Sequence, residues 1–160
     1  MKKKFVFESM DPSVVFDCRK MENEETRFRA KFPNGAAYIH TEAGEGGWQN
    51  AHYHKGLDET FIVEQGWVAV AKRIDSLWGV ILYVSRETFV IEKNTPNNIF
   101  LPKGAIIHTI QFGTFGSPIG NPDKGDADWW PTTPEFDTWS KGLSLENIAD
   151  YAGVSVESLT

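Results

Sequence analysis

The chain has a single cysteine, Cys18, so no intramolecular disulfide can form and stability has to come from packing. It contains no apolar run near the roughly 20 residues that a membrane-spanning helix requires, and no membrane partner is expected. Behind Lys2, Lys3 and Lys4 the apolar stretch covers only Phe5 to Phe7 before Glu8 interrupts it, far short of a secretory core. A cytoplasmic setting is therefore the expectation. Positive charge is also in deficit, with 16 Lys and Arg against 22 Asp and Glu, a net charge of −6. That balance disfavours binding to a polyanion, so no nucleic acid partner is expected. Glycine-rich phosphate loops, Ser/His/Asp arrangements, reactive-cysteine surroundings and internal repeats are missing as well. What remains is a chain of 160 residues, enough for one domain with a sizeable core and short for two.

The middle of the chain reads as strands. Runs rich in Val, Ile, Phe, Tyr and Trp cover Ala36–His40, Ala51–His54, Thr60–Glu64, Trp67–Arg73, Gly79–Val84, Thr88–Glu92, Ile99–Leu101 and Ile106–Phe112. Turn-forming clusters separate them, among them Pro33-Asn34-Gly35, Gly44-Glu45-Gly46-Gly47, Lys55-Gly56-Leu57-Asp58 and Asn94-Thr95-Pro96-Asn97-Asn98. Many short strands with no helices between them imply an all-β barrel or jelly roll rather than an α/β fold.

The two ends differ from this core. Residues 1–34 are charged and mixed, read as an N-terminal arm with a strand around Phe5–Phe7. Residues 116–139 combine Pro118, Pro122, Pro131 and Pro134 with Trp129, Trp130 and Trp139, which suggests an extended segment laying aromatic rings on the body. One short helix is expected over 144–151, with Ser144 as its N-cap. The organisation expected is one domain, with an arm (1–34), a barrel core (35–115) and a C-terminal extension (116–160). The acidic segment Glu146–Leu159 has the pattern of the first helix and turn of a helix-turn-helix. The chain ends where a recognition helix would begin, so DNA binding is not adopted.

The chemistry is concentrated between Gly46 and Gly66. On a strand, residues i and i+2 share a face, so His52 and His54 project together with Tyr53 opposite. Lys55-Gly56-Leu57-Asp58 can reverse the chain, after which Glu59 opens the next strand toward the same interior, followed on that face by Phe61 and Val63. A fourth donor, His108, comes from the Pro102–His108 run. Its same-face neighbours Ile106, Ile110 and Phe112 are all apolar, which phases it inward too. Three imidazoles and one carboxylate suit a borderline divalent metal and leave positions for substrate or water. Buried separately, each would need its own partner, whereas one cation satisfies them all.

At these residues the chain resembles the cupin superfamily. Gly46, His52, His54, Glu59 and Gly66 match every fixed position of the family's first motif. In the second motif, Gly-x5-Pro-x-Gly-x2-His-x3-Asn, Pro102 and Gly104 match. His108 falls one residue late, Pro96 stands at the leading glycine and Phe112 stands near the asparagine. The resemblance covers about residues 35–113. It implies a double-stranded β-helix, usually homodimeric, holding a divalent transition metal such as Fe, Mn, Ni, Zn or Cu.

Tyr38, His40, Gln49, Phe61 and Tyr83 are candidate substrate contacts, His40 as an acid or base near the pocket mouth. The function these readings imply is a metal-dependent enzyme acting on a sugar, sugar acid or similar oxygen-rich small molecule, of isomerase or lyase type. The alternatives are an iron-dependent dioxygenase, a non-catalytic carbohydrate or metabolite-binding module, and a metal-free barrel using His52 or His108 as an acid–base group. The last is disfavoured by the convergence of the His-x-His and Glu positions.

Overall fold

Alternation of period two is cleanest in β6 (Leu57–Gln65), where Leu57, Glu59, Phe61 and Val63 are buried and Asp58, Thr60, Ile62 and Glu64 are not. Around it, the computed structural model describes residues 13–33, 36–113 and 128–160. The other strands are β1 (Val15–Lys20), β2 (Thr26–Lys31), β3 (Ala37–Glu42), β4 (Gly47–Trp48), β5 (His52–Tyr53), β7 (Trp67–Ile74), β8 (Leu77–Val84), β9 (Thr88–Ile91), β10 (Asn97–Leu101), β11 (Ile106–Gly113) and β12 (Trp130–Pro131). They form two antiparallel sheets, ordered β1-β2-β3-β11-β6-β9 and β12-β5-β10-β7-β8, with β4 pairing on β10. The neighbours β3, β11 and β6 come from distant parts of the chain, which is the crossing connectivity of a jelly roll.

Phe61, Val63, Val68, Val70, Ile99 and Leu101 meet between the sheets as the main core. In β7 the run Trp67 to Ala71 is buried on both faces. Its alternate residues Trp67, Ala69 and Ala71 face a second apolar layer made by the C-terminal helices with Phe136, Ile148 and Leu159. A strand stretch covered on both sides has no need of a polar face, and the run Trp67 to Ala71 shows none.

The helices follow local signals. In α1 (Pro134–Lys141), the Thr133 hydroxyl accepts from the Phe136 amide and Pro134 occupies the first turn. In α2 (Leu145–Ala152), Ser144 and Asn147 form a capping box and Gly153 closes the helix at φ 66°. The helices are fastened to the sheet by polar contacts as well. Trp48 Nε1 donates to the Leu143 carbonyl and Trp67 Nε1 to the Leu159 carbonyl, each at 3.1 Å, while Asn98 Nδ2 donates to Ser140 Oγ at 2.9 Å.

The all-β reading and the short C-terminal helix agree with this architecture. Two elements differ from expectation. Residues 15–31, read as part of an irregular arm, form the β1–β2 hairpin, and β2 pairs with β3 along its length. Part of the stretch read as extended folds into α1, where the Thr133 cap and Pro134 outweigh the proline-rich surroundings. The strand expected at Phe5–Phe7 lies outside the described residues.

Candidate metal centre

His52 and His54 emerge where β5 leads into the Lys55-Gly56 turn, and Glu59 follows on β6. The donor atoms of these three side chains all lie within 4.8 Å of one another. The turn is fixed from a remote part of the chain. The Asp128 carboxylate accepts from the amides of Lys55 and Gly56 at 3.1 and 2.6 Å, and from Trp130 Nε1 at 2.9 Å. The main-chain carbonyl of the same Asp128 contacts His54 Nδ1. His52 Nδ1 meets the Asn50 carbonyl at 2.9 Å, and its ring stacks on Trp129 with centroids 5.6 Å apart.

These contacts select tautomers. A carbonyl oxygen only accepts, so both histidines carry hydrogen on Nδ1 and present Nε2 as a lone pair in the neutral ring. Burial, the largest influence, holds the His52 pKa below its ordinary value despite the opposing charge of Glu59. Burial alone would raise the Glu59 pKa. The His54 contact, the imidazole charges and a hydrogen bond from Gln111 outweigh it, so the carboxyl is held below its usual range. Glu59 Oε1 lies 3.3 Å from His54 Nε2 and accepts from Gln111 Nε2 at 2.9 Å. Its other oxygen, Oε2, is buried without a hydrogen-bond partner.

A buried carboxylate oxygen with nothing to bind is costly, and the carboxylate it belongs to lies in one cluster with two imidazoles. A divalent cation held by His52, His54 and Glu59 removes that cost, so the donor set fits a borderline transition metal. The backbone carbonyls behind both rings are the outer partners that such ligands require.

The three donors sit in the wall of a cavity of about 50 Å³ that Arg27, Gln49, Phe61 and Trp129 also line. Arg27 brings the positive charge. Glu25 holds it through Nε at 3.0 Å and Nη2 at 2.7 Å, and Gln49 Nε2 donates to the same carboxylate at 3.0 Å. Among the expected substrate contacts, Gln49 and Phe61 therefore reach the cavity. Tyr83 stacks on Phe89 with centroids 4.2 Å apart and is absent from the cavity wall. Tyr38 and His40 stand on the opposite face of β3, whose inward residues are Ile39 and Thr41.

His108 is a correction. It faces away from the cavity, and the inward residues of β11 are Ile107, Thr109 and Gln111. Counted from Gly104, Ile107 occupies the second motif's histidine position and Gln111 its asparagine position. The inner site thus has two imidazoles and one carboxylate, with an isoleucine side chain in place of a fourth donor. His108 instead joins His40 and Glu64 in a separate group. Apolar parity misled because Ile110 and Phe112, which share its face, are exposed. Arg27, Gln111 and Asp128 were not foreseen. The motif spacing held a signal for Gln111, and nothing local marks Asp128.

No protein-family model matches the chain, and no curated protein matches it. Solved structures do. The Mn(II)-containing oxalate decarboxylase of Bacillus subtilis is similar at TM-score 0.58 and 14% identity, over 94% of this chain and 39% of that one. A Lactobacillus farciminis oxalate decarboxylase, as its formate complex, is similar at TM-score 0.57 and 13% identity, over 96% and 45%. The chain thus spans less than half the length of either. At such identities the likeness concerns the fold, and the fold is that of the cupins.

Proposed function

We propose that this cupin-fold chain is a metal-dependent enzyme acting on a small carboxylic acid or a similar oxygen-rich metabolite. His52, His54 and Glu59 hold the cation, and Glu59 Oε2, buried and without a hydrogen-bond partner, is the observation that carries the reading. A divalent metal there supplies Lewis-acid polarisation of a carbonyl or carboxylate oxygen and lowers the pKa of a coordinated water. The protein does the rest. Asn50 and Asp128 hold the imidazoles in their ligating tautomers, and Gln111 steadies the carboxylate through Oε1. Arg27 places a guanidinium in the wall to attract and orient an anion. Ile39, Phe61, Ile99 and Ile107 supply the apolar part of the wall beside the donors.

Elemental analysis of chain purified without chelator or affinity tag is the test. One equivalent of a divalent transition metal, lost in His52→Ala, is the expected result, and a metal-free wild type overturns the proposal. Activity would then be sought in a panel of small mono- and dicarboxylic acids.

A second reading is iron-dependent oxygenation. It is favoured by Ile107 at the would-be fourth ligand position, because two histidines and one carboxylate with open positions is the ligand set of non-haem Fe(II) oxygenases. Bound iron with substrate-dependent oxygen uptake selects it. Turnover without oxygen selects lyase or isomerase chemistry.

A further inference from the structure

The chain contains four histidines. Two of them, His52 and His54, belong to the cavity. The others, His40 and His108, lie directly opposite each other on neighbouring antiparallel strands, both on the outer face of the first sheet. Their rings are 5.1 Å apart, edge to face. Such cross-strand neighbours are close enough to share one ion.

The third member is placed by an irregularity. Along β11 and β6, Ile107 pairs with Val63 while Ile106 pairs with Gln65, so Glu64 has no opposite residue and forms a β-bulge. A bulge re-aims the side chain it carries. Glu64 Oε2 comes to 2.5 Å from His108 Nε2. The donor atoms of His40, His108 and Glu64 lie within 4.8 Å of one another, the same limit that the cavity triad meets.

His108 is oriented from behind as well. Tyr38 Oη lies 2.7 Å from His108 Nδ1, and the two rings stack with centroids 5.8 Å apart. The Glu64 carboxylate only accepts, so His108 Nε2–H donates to it and Tyr38 Oη donates to Nδ1. When a cation takes Nε2, the proton sits on Nδ1 and the phenol oxygen accepts it, the arrangement of an outer partner fixing a metal-binding imidazole. His40 Nε2 is 3.0 Å from the exposed carboxylate of Glu42. Glu42 and Glu64 are more than half exposed, so the ion pairs they make are screened by solvent and easily exchanged for a metal bond.

We propose that His40, His108 and Glu64 form a second divalent-metal site, on the outer face of the first sheet and separate from the cavity. Two imidazoles and a carboxylate select an ion of the Zn(II), Ni(II) or Cu(II) class, with open positions left to water or to Glu42. The proposal does not depend on the cavity site being catalytic or metal-loaded.

The test is Zn(II) titration by calorimetry of the full chain, stripped with chelator, in a His52→Ala background that disables the cavity. That variant is expected to bind one equivalent. Adding His108→Asn or His40→Gln should weaken binding by on the order of 100-fold, and adding Tyr38→Phe by roughly tenfold. Zinc uptake that is absent in His52→Ala, or unchanged by the added substitutions, overturns the proposal. Far-UV circular dichroism checks folding. If His52→Ala does not fold, the same series in Glu59→Gln gives the same decision, since that substitution removes the buried charge and keeps its shape.

Discussion

The two histidine groups of this chain differ in surroundings more than in composition. Each has two imidazoles and one carboxylate within the same span. In the inner group His54 and Glu59 are buried and His52 partly so, the rings are held by the carbonyls of Asn50 and Asp128, and one carboxylate oxygen is left over. In the outer group the glutamate is exposed, a tyrosine steadies one ring, and a second carboxylate lies close to the other. The same side chains therefore carry different energetic consequences. Inside, the Glu59 carboxylate is shielded from bulk solvent, so a bound cation adds more. Outside, solvent screens the glutamates and a cation adds less.

Metal loading breaks the comparison most sharply. At free metal 1,000 times the dissociation constant, the wild type should gain about 4 kcal/mol over the stripped protein. Glu59→Gln is expected to remove the inner site's share of that gain in a denaturant titration and to leave only what the outer site contributes. A Glu59→Gln variant that keeps the full metal-linked gain would contradict the assignment of Glu59 as a ligand.

Next in size is Asp128→Ala. The amides of Lys55 and Gly56 lose their acceptor, which should cost about 2–3 kcal/mol of stability. Inner-site affinity should fall roughly tenfold or more as His54 loosens, with the outer site unaffected. Equal losses at both sites in the zinc titration would contradict the separation of the two groups.

Acid sharpens the comparison further. The His52 pKa is depressed on folding, so below its ordinary 6.5 the unfolded chain takes up a proton that the folded one resists. Glu59 is depressed too, and its contribution is present at neutral pH and lost as pH falls through its folded value. Both signs agree: the stripped protein should lose stability steadily from about pH 6.5 downward. In His52→Ala the first part of that decline should vanish, as read from urea midpoints at each pH. The smallest expected effect is Tyr38→Phe, which should weaken outer-site zinc by roughly tenfold and leave the inner metal content unchanged.

Much of the fold was legible because strand alternation is a local signal. β6 alternates cleanly because one face meets the core and the other does not. β7 reads as an apolar run because both faces are covered. The capping residues of α2 mark its start. The β1–β2 hairpin was missed since its strands, VFDCRK and TRFRAK, are charged and only partly buried. In β11 the rule that apolar residues face inward failed for a chemical reason. The interior there is a polar site lined by Thr109 and Gln111, while Ile110 and Phe112 stand outside. Parity from hydrophobicity assigns the wrong face wherever the inside of a barrel is built for a ligand.

The chain by itself determined the run of strands, the helix after Ser144, and the common face of His52, His54 and Glu59, since each depends on residues close in sequence. Tertiary structure alone decided that Asp128 braces His54, that Ile107 replaces a fourth donor, and that His108 meets His40. Those outcomes depend on the pairing of β11 with β3 and β6 and on the bulge at Glu64. Pairing between distant strands is set by how the whole core packs, and a slip of one residue would move every side chain to the other face.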